Sequence, residues 1–213
     1  MPRSIGIFGG TFDPVHKGHI TLAQDLKNHL RLDEMYLVPC RLPPHRALPM
    51  ASDDDRLQML RLATVNTTLQ VDERELKREG PSYTVDTLHA LRNDYGTDCV
   101  IVLCMGMDAF TSLPTWHRWQ DIPGLAHIAV VGRADHVMPL DSAIVNLLKQ
   151  RQTTTPDDLA KQPAGKIYLT QLSQIPVSST SIRQILATNI RQVIPALDPN
   201  VLAFIQQKGL YHQ

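Results

Sequence analysis

Short apolar runs that alternate with helix-forming segments constrain the fold of this chain more than any other feature. The first run, 5–8, ends at a pair of glycines, and apolar residues then recur at about every third or fourth position through 20–30. This pattern predicts a buried strand, a turn and an amphipathic helix. A second short run, 35–38, stops at Pro39. A strand, a loop, a helix and another strand in this order favour a right-handed βαβ unit in a parallel sheet.

The same alternation continues through the rest of the 213 residues, with no internal repeat and no low-complexity linker. We therefore predict one α/β domain over 1–213, a Rossmann-like doubly wound parallel sheet with a small helical C-terminal cap over 177–213. A polar, proline-containing segment, 153–163, is predicted to be an exposed loop. The other predicted strands are 69–72, 100–104, 128–131 and 166–169, and the other predicted helices are 53–65, 82–95, 142–150, 182–187 and 199–207.

Two of these helices begin at clusters of residues that stabilise a helix start. Asp53, Asp54 and Asp55 place negative charge at the positive end of the helix dipole, and we assign them no metal-binding role. The helix at 82–95 begins near two hydroxyl side chains, so Ser82 or Thr84 is predicted to cap it.

The charge of the chain gives no support for binding to a polyanion. Lys plus Arg and Asp plus Glu both number 21, so the formal net charge is zero, with an isoelectric point of about 7.1. Proteins that bind nucleic acid depend on clustered Lys and Arg, so we predict no nucleic-acid partner. We also predict no membrane partner, because the N-terminal sequence has no signal-peptide pattern and no apolar run approaches membrane-spanning length.

The three cysteines, Cys40, Cys99 and Cys104, indicate a reducing compartment. Their number is odd, no two of them form a CxxC pair, and a chain of this length can bury a sound core without disulfides. We therefore predict a cytoplasmic protein. Because Cys99 and Cys104 lie in or beside an apolar run, we predict that both are buried, unreactive thiols.

A glycine- and histidine-containing segment, 9–19, follows the first strand and leads into the first helix. Its sequence is G-G-T-F-D-P-V-H-K-G-H. A strand–turn–helix junction directs free backbone N–H groups and the helix dipole at one point, and glycines let a ligand approach, so we predict an anion site. His16 and His19 are three residues apart, so we expect them to share a face of the helix. There they would donate hydrogen bonds to phosphate oxygens as charge develops on a leaving pyrophosphate.

Three other kinds of site were compared with this segment. The Walker A pattern G-x-x-x-x-G-K-S/T and the dinucleotide fingerprint G-x-G-x-x-G are both absent. A zinc site needs further ligands, and no nearby pattern of Cys, His or Glu supplies them. A simple glycine turn followed by two surface histidines stays open as an alternative on spacing alone.

Five segments together resemble the bacterial nicotinate mononucleotide adenylyltransferases, a family of the nucleotidyltransferase superfamily with an HxGH motif. The resemblance spans nearly the whole chain, and segment 9–19 is similar to the superfamily signature. The other four are P-P-H-R at 43–46, E-x-x-R followed by S-Y-T and T-L within 75–88, G-x-D followed by Trp within 106–116, and S-S-T-S-I-R at 178–183.

The resemblance implies transfer of an adenylyl group from ATP to nicotinate mononucleotide, giving deamido-NAD and pyrophosphate in NAD biosynthesis. The phosphate of the second substrate is the nucleophile, so catalysis consists of positioning and charge neutralisation, with Mg²⁺ bound through the ATP phosphates. The partners implied are ATP and nicotinate mononucleotide, a homo-oligomer is left open, and no metal ligand is assigned to the protein. The implied catalytic residues are His16, His19 and Arg183.

The resemblance also implies binding residues for both substrates. Those for ATP are Gly9, Gly10, Thr11, Phe12, His16, His19, Arg46, Gly106, Asp108, Arg133, Ser178, Ser179, Thr180 and Arg183. Those for the nicotinate nucleotide are Pro39, Ser82, Tyr83, Thr84, Asp108 and Trp116. The backbone N–H groups of 82–84 would receive the nicotinate carboxylate, Trp116 would stack on the pyridine ring, and Asp108 would lie near the ribose hydroxyls.

Several of these residues also have a purely structural interpretation. Ser178 can cap a helix while Arg183 stays in solvent, and Asp108 can be a helix N-cap. Trp116 can be a partly buried core residue. The two remaining arginines can be loop charges, namely Arg46 and Arg133.

Alternative functions fall into two classes. An adenylyltransferase for nicotinamide mononucleotide would share the phosphate chemistry and differ in the pyridine pocket. Pantetheine phosphate adenylyltransferases tend to be shorter and carry Thr in place of His16, and flavin adenylyltransferases have a different pattern after the loop Asp. A non-catalytic nucleotide-binding regulator is the alternative of another class, and the presence of His16, His19 and Arg183 argues against it.

Overall fold

Seven strands form one sheet in a computed structural model of the chain, which describes residues 2–44, 47–132, 141–172, 175–188, 192 and 194–212. The strands are β1 (Ser4–Gly10), β2 (Glu34–Pro39), β3 (Gln70–Val71), β4 (Val100–Gly106), β5 (His127–Gly132), β6 (Gln152–Thr153) and β7 (Ile167–Gln171). Their order across the sheet is β3-β2-β1-β4-β5-β7-β6, and every neighbouring pair is parallel. The predicted Rossmann-like parallel sheet is therefore confirmed.

Helices connect the strands. In the same described ranges they are α1 (Lys17–His29), α2 (Asp53–Thr64), α3 (Arg74–Lys77), α4 (Thr84–Tyr95), α5 (Met107–Thr111), α6 (Ile122–Leu125), α7 (Ser142–Arg151), α8 (Ser179–Thr188) and α9 (Pro199–Lys208). The long helices lie where periodicity predicts them, with ends shifted by a few residues. The helices α3, α5 and α6 were not predicted, because elements of four or five residues are too short to show a helical period. Within the described ranges, no helix combines the length and the apolar character needed to cross a membrane.

Side chains of the sheet alternate between two apolar layers, as the geometry of a strand requires. On β4, Val102 and Cys104 join one buried cluster, whereas Ile101 and Leu103 join the other. The first cluster is covered by α1, α2, α8 and α9, and the second by α4, α5, α6 and α7. The sheet is therefore buried on both faces, as expected for parallel strands.

The two predicted helix starts have different outcomes. Ser52 caps α2 by accepting a hydrogen bond from the N–H of Asp55, and the three aspartates occupy the first turn as predicted. The prediction that Ser82 or Thr84 caps the next long helix is wrong. Tyr83 is the N-cap of α4 and makes no side-chain cap bond, and the Ser82 hydroxyl accepts from the N–H of Arg41 instead of capping the helix.

The segment predicted as an exposed loop, 153–163, is more ordered than expected. Thr153 belongs to the edge strand β6, which pairs with β7, and Pro156–Lys161 forms a 3-10 helix. Leu159 in this helix is buried in the apolar layer that α1 also covers. The segment is polar overall, so its composition did not predict that one leucine packs into the core.

The two cysteines in the apolar run are buried as predicted. Cys104 is 2% exposed and Cys99 is 4% exposed, and both carry free thiols. Burial raises the pKa of both thiols, that of Cys104 to about 12. Thiolate is the reactive form of cysteine, so neither side chain is a nucleophile near neutral pH.

A crevice is expected where the chain leaves β1 and β4, the two strands at the centre of the sheet. After β1 the chain enters α1 on one face, and after β4 it enters α5 on the other face. Ligands of open α/β sheets bind at such a switch point, outside the carboxyl ends of the strands. Gly10 and Gly106 mark these two strand ends, so the predicted ATP residues from both segments meet at the same edge.

Candidate active site

His16 and His19 form a stacked pair at the start of α1. Their ring centroids are 3.7 Å apart and the ring planes are inclined by 22°. Burial lowers the pKa of His16 to about 4, and burial together with the charge of His16 lowers the pKa of His19 to about 3. Both rings are therefore neutral at neutral pH. The prediction that the two histidines share one face of the helix is confirmed.

The backbone fixes which nitrogen of His19 carries the proton. The N–H of His16 donates to Nδ1 of His19 at 3.3 Å. Because Nδ1 accepts this bond, the neutral ring carries its proton on Nε2 and presents a donor there. Nδ1 of His16 is buried and has no hydrogen-bond partner among the described residues.

The aromatic ring of Phe12 supports the histidine pair from beneath. Phe12 adopts a positive φ of 52°, is 2% exposed, and meets the His19 ring edge-on at a centroid distance of 5.1 Å. A Cβ on Gly10 would lie 2.9 Å from the Phe12 ring, so this glycine is required by packing inside the loop. A Cβ on Gly9 would meet nothing within 4 Å, which leaves that glycine open to a ligand.

The predicted row of free N–H groups at the start of α1 is only partly correct. The N–H of Lys17 donates to the carbonyl of Ala196 at 2.8 Å, and the N–H of His19 donates to the carbonyl of His16 at 2.9 Å. These groups are occupied by the protein itself. The donors that remain at this helix start therefore include Nε2 of His19, the protonated nitrogen of the ring.

Side chains from two helices hold the carbonyl groups of the loop between β1 and α1. Arg56 of α2 donates to the carbonyl of Thr11 at 2.6 Å, and Arg183 of α8 donates to the carbonyl of Asp13 at 2.6 Å. The hydroxyl of Ser179 donates to the carbonyl of Pro14 at 2.9 Å. The guanidinium of Arg56 is fully buried and paired with Asp53, so the partly exposed guanidinium of Arg183 is the one that favours an anionic ligand beside the loop.

Arg56 is the functional candidate that sequence reasoning missed. Its side chain is fully buried and also donates to Asp53 at 2.6 Å, and Asp53 in turn pairs with Arg41 at 3.3 Å. Charged side chains are almost never fully buried without a partner. In the sequence, Arg56 stands in a polar stretch of α2, so only its fourth-residue spacing to the buried Leu60 hinted at an inward position.

Asp13 is a second residue that was missed, and it connects three parts of the chain. Its carboxylate accepts hydrogen bonds from the N–H groups of Met50 at 2.8 Å and Ala51 at 3.1 Å, and from the hydroxyl of Tyr211 at 2.7 Å. It also lies 3.9 Å from Arg183. The apolar neighbours of Asp13 in the sequence signal a buried carboxylate, but its distant donors cannot be deduced from them.

The predicted second anion segment, 178–183, lies against the same loop. Ser178 caps α8, since its hydroxyl accepts from the N–H of Ser181 at 3.1 Å. The structural interpretation of Ser178 is therefore correct, whereas Arg183 is not a solvated side chain. Besides holding Asp13, Arg183 donates to Thr180 at 3.4 Å. Ser179, Thr180 and Arg183 thus share one surface with the His16 and His19 segment.

The predicted pyridine side is assembled from α4 and the turn after α5. The ring of Tyr83 stacks on His117 at a centroid distance of 4.2 Å, and His117 follows the half-buried Trp116 directly. Tyr83 and Trp116 both pack against the second apolar cluster. The stacking of His117 was not predicted, because the partner ring of Tyr83 lies 34 positions earlier in the sequence.

One expected donor on this side is already occupied. The N–H of Ser82 donates to the carbonyl of Leu42 at 3.0 Å, and the Ser82 hydroxyl accepts from the N–H of Arg41 at 3.0 Å. The expectation that the Ser82 N–H receives a carboxylate is therefore wrong. Among the described residues, the N–H of Thr84 in the first turn of α4 has no backbone acceptor, and Thr84 is partly exposed, whereas Val85 is fully buried.

A buried polar network supports the start of α4. Thr87 donates to Glu75 at 2.7 Å and accepts from Arg78 at 3.1 Å. Burial is the main cause that raises the pKa of Glu75 above its ordinary value. These residues lie in the segment that carried the resemblance over 75–88, and their contacts position α4 from below.

The remaining predicted residues occupy the carboxyl edge of the sheet. Gly106 is the N-cap of α5 and Asp108 is an exposed residue of its first turn, so the N-cap interpretation of Asp108 is wrong. Pro39 ends β2 beside Gly10 and is buried. A Cβ on Gly132 would lie 3.3 Å from the Met107 side chain, so methionine covers the end of β5. Two predicted ATP residues lie outside the described residues, namely Arg46 and Arg133.

No group of three or more His, Cys, Asp or Glu side chains that could hold a metal ion occurs among the residues that the structure describes. The charged groups beside the loop include two arginines, Arg56 and Arg183, each of which has a carboxylate partner, Asp53 and Asp13 respectively. This donor set suits phosphate oxygens rather than a bare cation.

The fold and the site together define a nucleotide-binding α/β protein. The features that define it are the Rossmann-like sheet, the histidine pair at the start of α1 and the loop held by arginines at the switch point. A family model described as Cytidylyltransferase-like matches residues 7–185. A protein of Methylococcus capsulatus (strain ATCC 33009 / NCIMB 11132 / Bath) named "Probable nicotinate-nucleotide adenylyltransferase" is 43% identical over 209 residues, which is 97% of this chain and 99% of that protein. A protein of Pseudomonas syringae pv. tomato (strain ATCC BAA-871 / DC3000) with the same name is 44% identical, covering 99% of this chain and 95% of that protein. The chain therefore belongs to the nicotinate-nucleotide adenylyltransferase family.

A solved structure shares the fold. The Plasmodium falciparum nicotinic acid mononucleotide adenylyltransferase complexed with NaAD has a TM-score of 0.71 and 17% sequence identity, covering 98% of this chain and 97% of that chain. The same enzyme complexed with APC has a TM-score of 0.68. At this identity the likeness concerns the arrangement of strands and helices.

Proposed function

We propose that this chain transfers the adenylyl group of ATP to nicotinate mononucleotide, a step of NAD biosynthesis. Relatives with the corresponding name cover nearly the whole chain at more than 40% identity, which supports the reaction class. The observation that carries the proposal is the neutral, stacked pair of His16 and His19 beside the arginine-held loop. Such a pair offers hydrogen-bond donors to a polyanion at a helix start.

The reaction needs no nucleophile from the protein. A phosphate oxygen of nicotinate mononucleotide attacks the α-phosphorus of ATP, and the bond from that phosphorus to the pyrophosphate oxygen breaks. The protein then has to position two anions and neutralise the charge that develops on the pyrophosphate. Nε2–H of His19 is proposed to donate to that leaving group, with His16 beside it, because donors aimed at developing charge lower the barrier.

Arg183 is proposed to act on the same phosphates from α8. One of its donors already holds the carbonyl of Asp13, so the guanidinium has a fixed orientation before ATP binds. A planar guanidinium with several donors can contact a phosphate and the loop at once. Ser179 and Thr180 lie next to it, and we assign them to the triphosphate together with Thr11. Gly9 and Gly106 leave room for the nucleotide at the carboxyl edge of the sheet.

Mg²⁺ is proposed to enter with the ATP phosphates, which supply its oxygen ligands. The residues described around the loop fit this arrangement, since they are donors to phosphate and include no three-ligand cluster of their own. When bound, the ion would neutralise charge on the triphosphate.

The nicotinate ring is proposed to bind between the start of α4 and the turn that carries Trp116. The N–H of Thr84 would receive the carboxylate, because a helix start favours an anion over a neutral amide. Trp116 and the stacked rings of Tyr83 and His117 provide an aromatic surface for the pyridine. Asp108, exposed at the start of α5, is assigned to the ribose hydroxyls.

The decisive experiment compares steady-state rates with nicotinate and nicotinamide mononucleotide, each with ATP and Mg²⁺. Pyrophosphate release that depends on nicotinate mononucleotide is the expected result, and it would exclude a non-catalytic regulator. A kcat/KM for the acid at least tenfold above that for the amide is expected, the effect of about 1.4 kcal/mol from a charge-assisted contact. Equal values for both substrates would remove the acid preference and leave adenylyl transfer intact.

Three further predictions are retained as proposals. The chain is proposed to form a single domain with its helical part over 177–213, and to act in the cytoplasm, which the buried thiols of Cys99 and Cys104, neither of them in a disulfide, support. A homo-oligomer is left to a measurement of mass in solution. The roles of the two predicted ATP residues outside the described ranges stay as the resemblance implied them, namely Arg46 and Arg133.

A further inference from the structure

The hydroxyl of Tyr211, close to the C-terminal end of the chain, reaches the loop between β1 and α1. It donates a 2.7 Å hydrogen bond to Oδ1 of Asp13, and both side chains are buried, with 6% and 4% exposure. The two residues are 198 positions apart in the sequence. This contact places the C-terminal turn directly behind the proposed triphosphate loop.

The hydrogen bonds of the Asp13 carboxylate define a single orientation of the group. Oδ1 accepts from the hydroxyl of Tyr211 and from the N–H of Ala51, whereas Oδ2 accepts from the N–H of Met50. The carbonyl of the same residue accepts from Arg183. Asp13 thus joins the loop, the end of the segment that follows β2, and α8. Loss of the Tyr211 hydroxyl would remove one of the two donors to Oδ1, so the two backbone N–H groups would have to hold the carboxylate without it.

The position of Tyr211 is itself over-determined by its surroundings. Its φ is 64°, a conformation that non-glycine residues rarely adopt, and it follows the left-handed Gly209 that ends α9. The N–H of Leu210 donates to the carbonyl of Ile205, and Lys208 pairs with Asp55 of α2 at 3.6 Å. A backbone held in this unfavourable region indicates that the surrounding contacts fix the position of the Tyr211 ring and hydroxyl.

We propose that Tyr211 is a positioning residue for adenylyl transfer, which acts through Asp13 on the loop that binds the ATP triphosphate. This proposal rests on the proposed function. The tyrosine hydroxyl makes no contact with a substrate in this scheme. It holds the carboxylate that fixes the loop from Asp13 to the histidine pair and the end of the segment after β2. The effect of its loss is therefore expected on ATP rather than on nicotinate mononucleotide.

The test is a kinetic comparison of Tyr211→Phe with Tyr168→Phe. Tyr168 is the matched control, because it is also buried at 8% exposure and bonds through its hydroxyl to His29, away from the loop. We expect Tyr211→Phe to lower kcat/KM for ATP about fivefold to tenfold, the size of one typical net hydrogen bond. The KM for nicotinate mononucleotide should stay within about twofold of wild type. Tyr168→Phe should leave both constants unchanged.

A double-mutant cycle checks that Tyr211 acts through Asp13. Asp13→Asn keeps the shape of the side chain but replaces one acceptor oxygen by a donor group. If the two side chains act through their mutual bond, adding Tyr211→Phe to Asp13→Asn should lower kcat/KM for ATP by less than twofold further. Fully multiplicative effects would overturn the proposal, as would a Tyr211→Phe enzyme that is kinetically identical to wild type.

Thermal unfolding and ATP binding separate a positioning role from a structural one. Equal losses of Tm in the two tyrosine variants, with a rise of the ATP Kd in Tyr211→Phe alone, would support the proposal. A parallel rise of the constants for both substrates, in proportion to a fall in Tm, would overturn it. If the wild-type chain neither binds ATP in calorimetry nor forms the dinucleotide, the proposed function fails, and this inference fails with it.

Discussion

The guanidinium of Arg56, which is fully buried, donates a 2.6 Å hydrogen bond to the carbonyl of Thr11. The same side chain donates to Asp53 of its own helix, so α2 and the loop after β1 are joined by one cation. Burial of a charge is costly unless it is paired and hydrogen-bonded. The loop beside Phe12 and Asp13 is therefore built around a positive charge.

Replacement of Arg56 by Met should destabilise the fold as well as the site. The carbonyl of Thr11 would lose its donor, and an unsatisfied buried polar group costs about 1–3 kcal/mol. Asp53 keeps its pair with Arg41, so the loss stays within this range. We expect the free energy of unfolding in urea to fall by about 2 kcal/mol. Arg61→Met is the control, because Arg61 lies on the same helix, is exposed and pairs with Glu73, and should cost about 0–1 kcal/mol. Equal losses in both variants would contradict a special role for Arg56.

His19→Ala should lower kcat much more than it raises the KM for ATP. The Nε2 donor of His19 is proposed to act on charge that develops in the transition state, and loss of one such donor typically costs about a hundredfold to a thousandfold in rate. His29→Ala is a suitable control, since His29 is an exposed residue in the last turn of the same helix. A His19→Ala enzyme with near-normal kcat would remove His19 from the catalytic residues.

The histidine pair also predicts how stability depends on pH. The pKa of His16 falls from 6.5 to about 4 on folding, so between these values the unfolded chain binds more protons than the folded protein. The contribution of His16 to the free energy of unfolding is fully present above pH 6.5 and is lost as the pH falls toward 4. Each such histidine can lower the free energy of unfolding by up to about 1.4 kcal/mol for each pH unit of this fall. His19, with a folded pKa of about 3, has the same sign.

The measurement compares the unfolding free energy of wild type with that of His16→Gln/His19→Gln between pH 7 and pH 4. Carboxylates also titrate in this range, so only the difference between the two slopes is informative. The wild-type protein should lose stability more steeply than the variant as the pH falls. Identical slopes would show that the folded histidines titrate normally.

Apart from the two-residue strand β6, the strands and long helices could be predicted from the sequence because period and burial agree along them. The start of α4 could not, since Ser82 bonds to Arg41 and Leu42 instead of capping the helix that follows it. Local patterns report a hydroxyl near a helix start and carry no information on a competing tertiary partner. The short helix α5 was missed for a different reason, because a single turn has no period to detect.

The site shows the same division between local and distant information. His16 and His19 lie on the same face of the helix because they are three residues apart, so spacing alone predicts that the two rings are neighbours. The partners of Asp13 come from the segment after β2 and from Tyr211, at the other end of the chain. Such contacts depend on the packing of α2, α8 and α9 on one face of the sheet, which periodicity does not specify.

The structure explains why Gly18 has no side chain, as it does for Gly10 in the same motif. A Cβ at this position would lie 3.0 Å from Nδ1 of His16 and 3.0 Å from the Val177 side chain. Gly18→Ala should therefore displace the His16 ring from its stack with His19 and lower kcat by about tenfold, the effect of roughly 1.4 kcal/mol. The unfolding free energy should fall only slightly, because alanine is the better helix former.

Two further variants separate displacement of His16 from a general effect of the added methyl group. Gly124→Ala is the control, since a Cβ on Gly124 in α6 would meet nothing within 4 Å and kcat should be unchanged. Adding Val177→Ala to Gly18→Ala gives the new methyl group space on one side, so part of kcat should return. If the double variant is no faster than Gly18→Ala, the contact with His16 alone limits the rate. If Gly18→Ala itself reacts at the wild-type rate, the histidine stack is not needed in the geometry described.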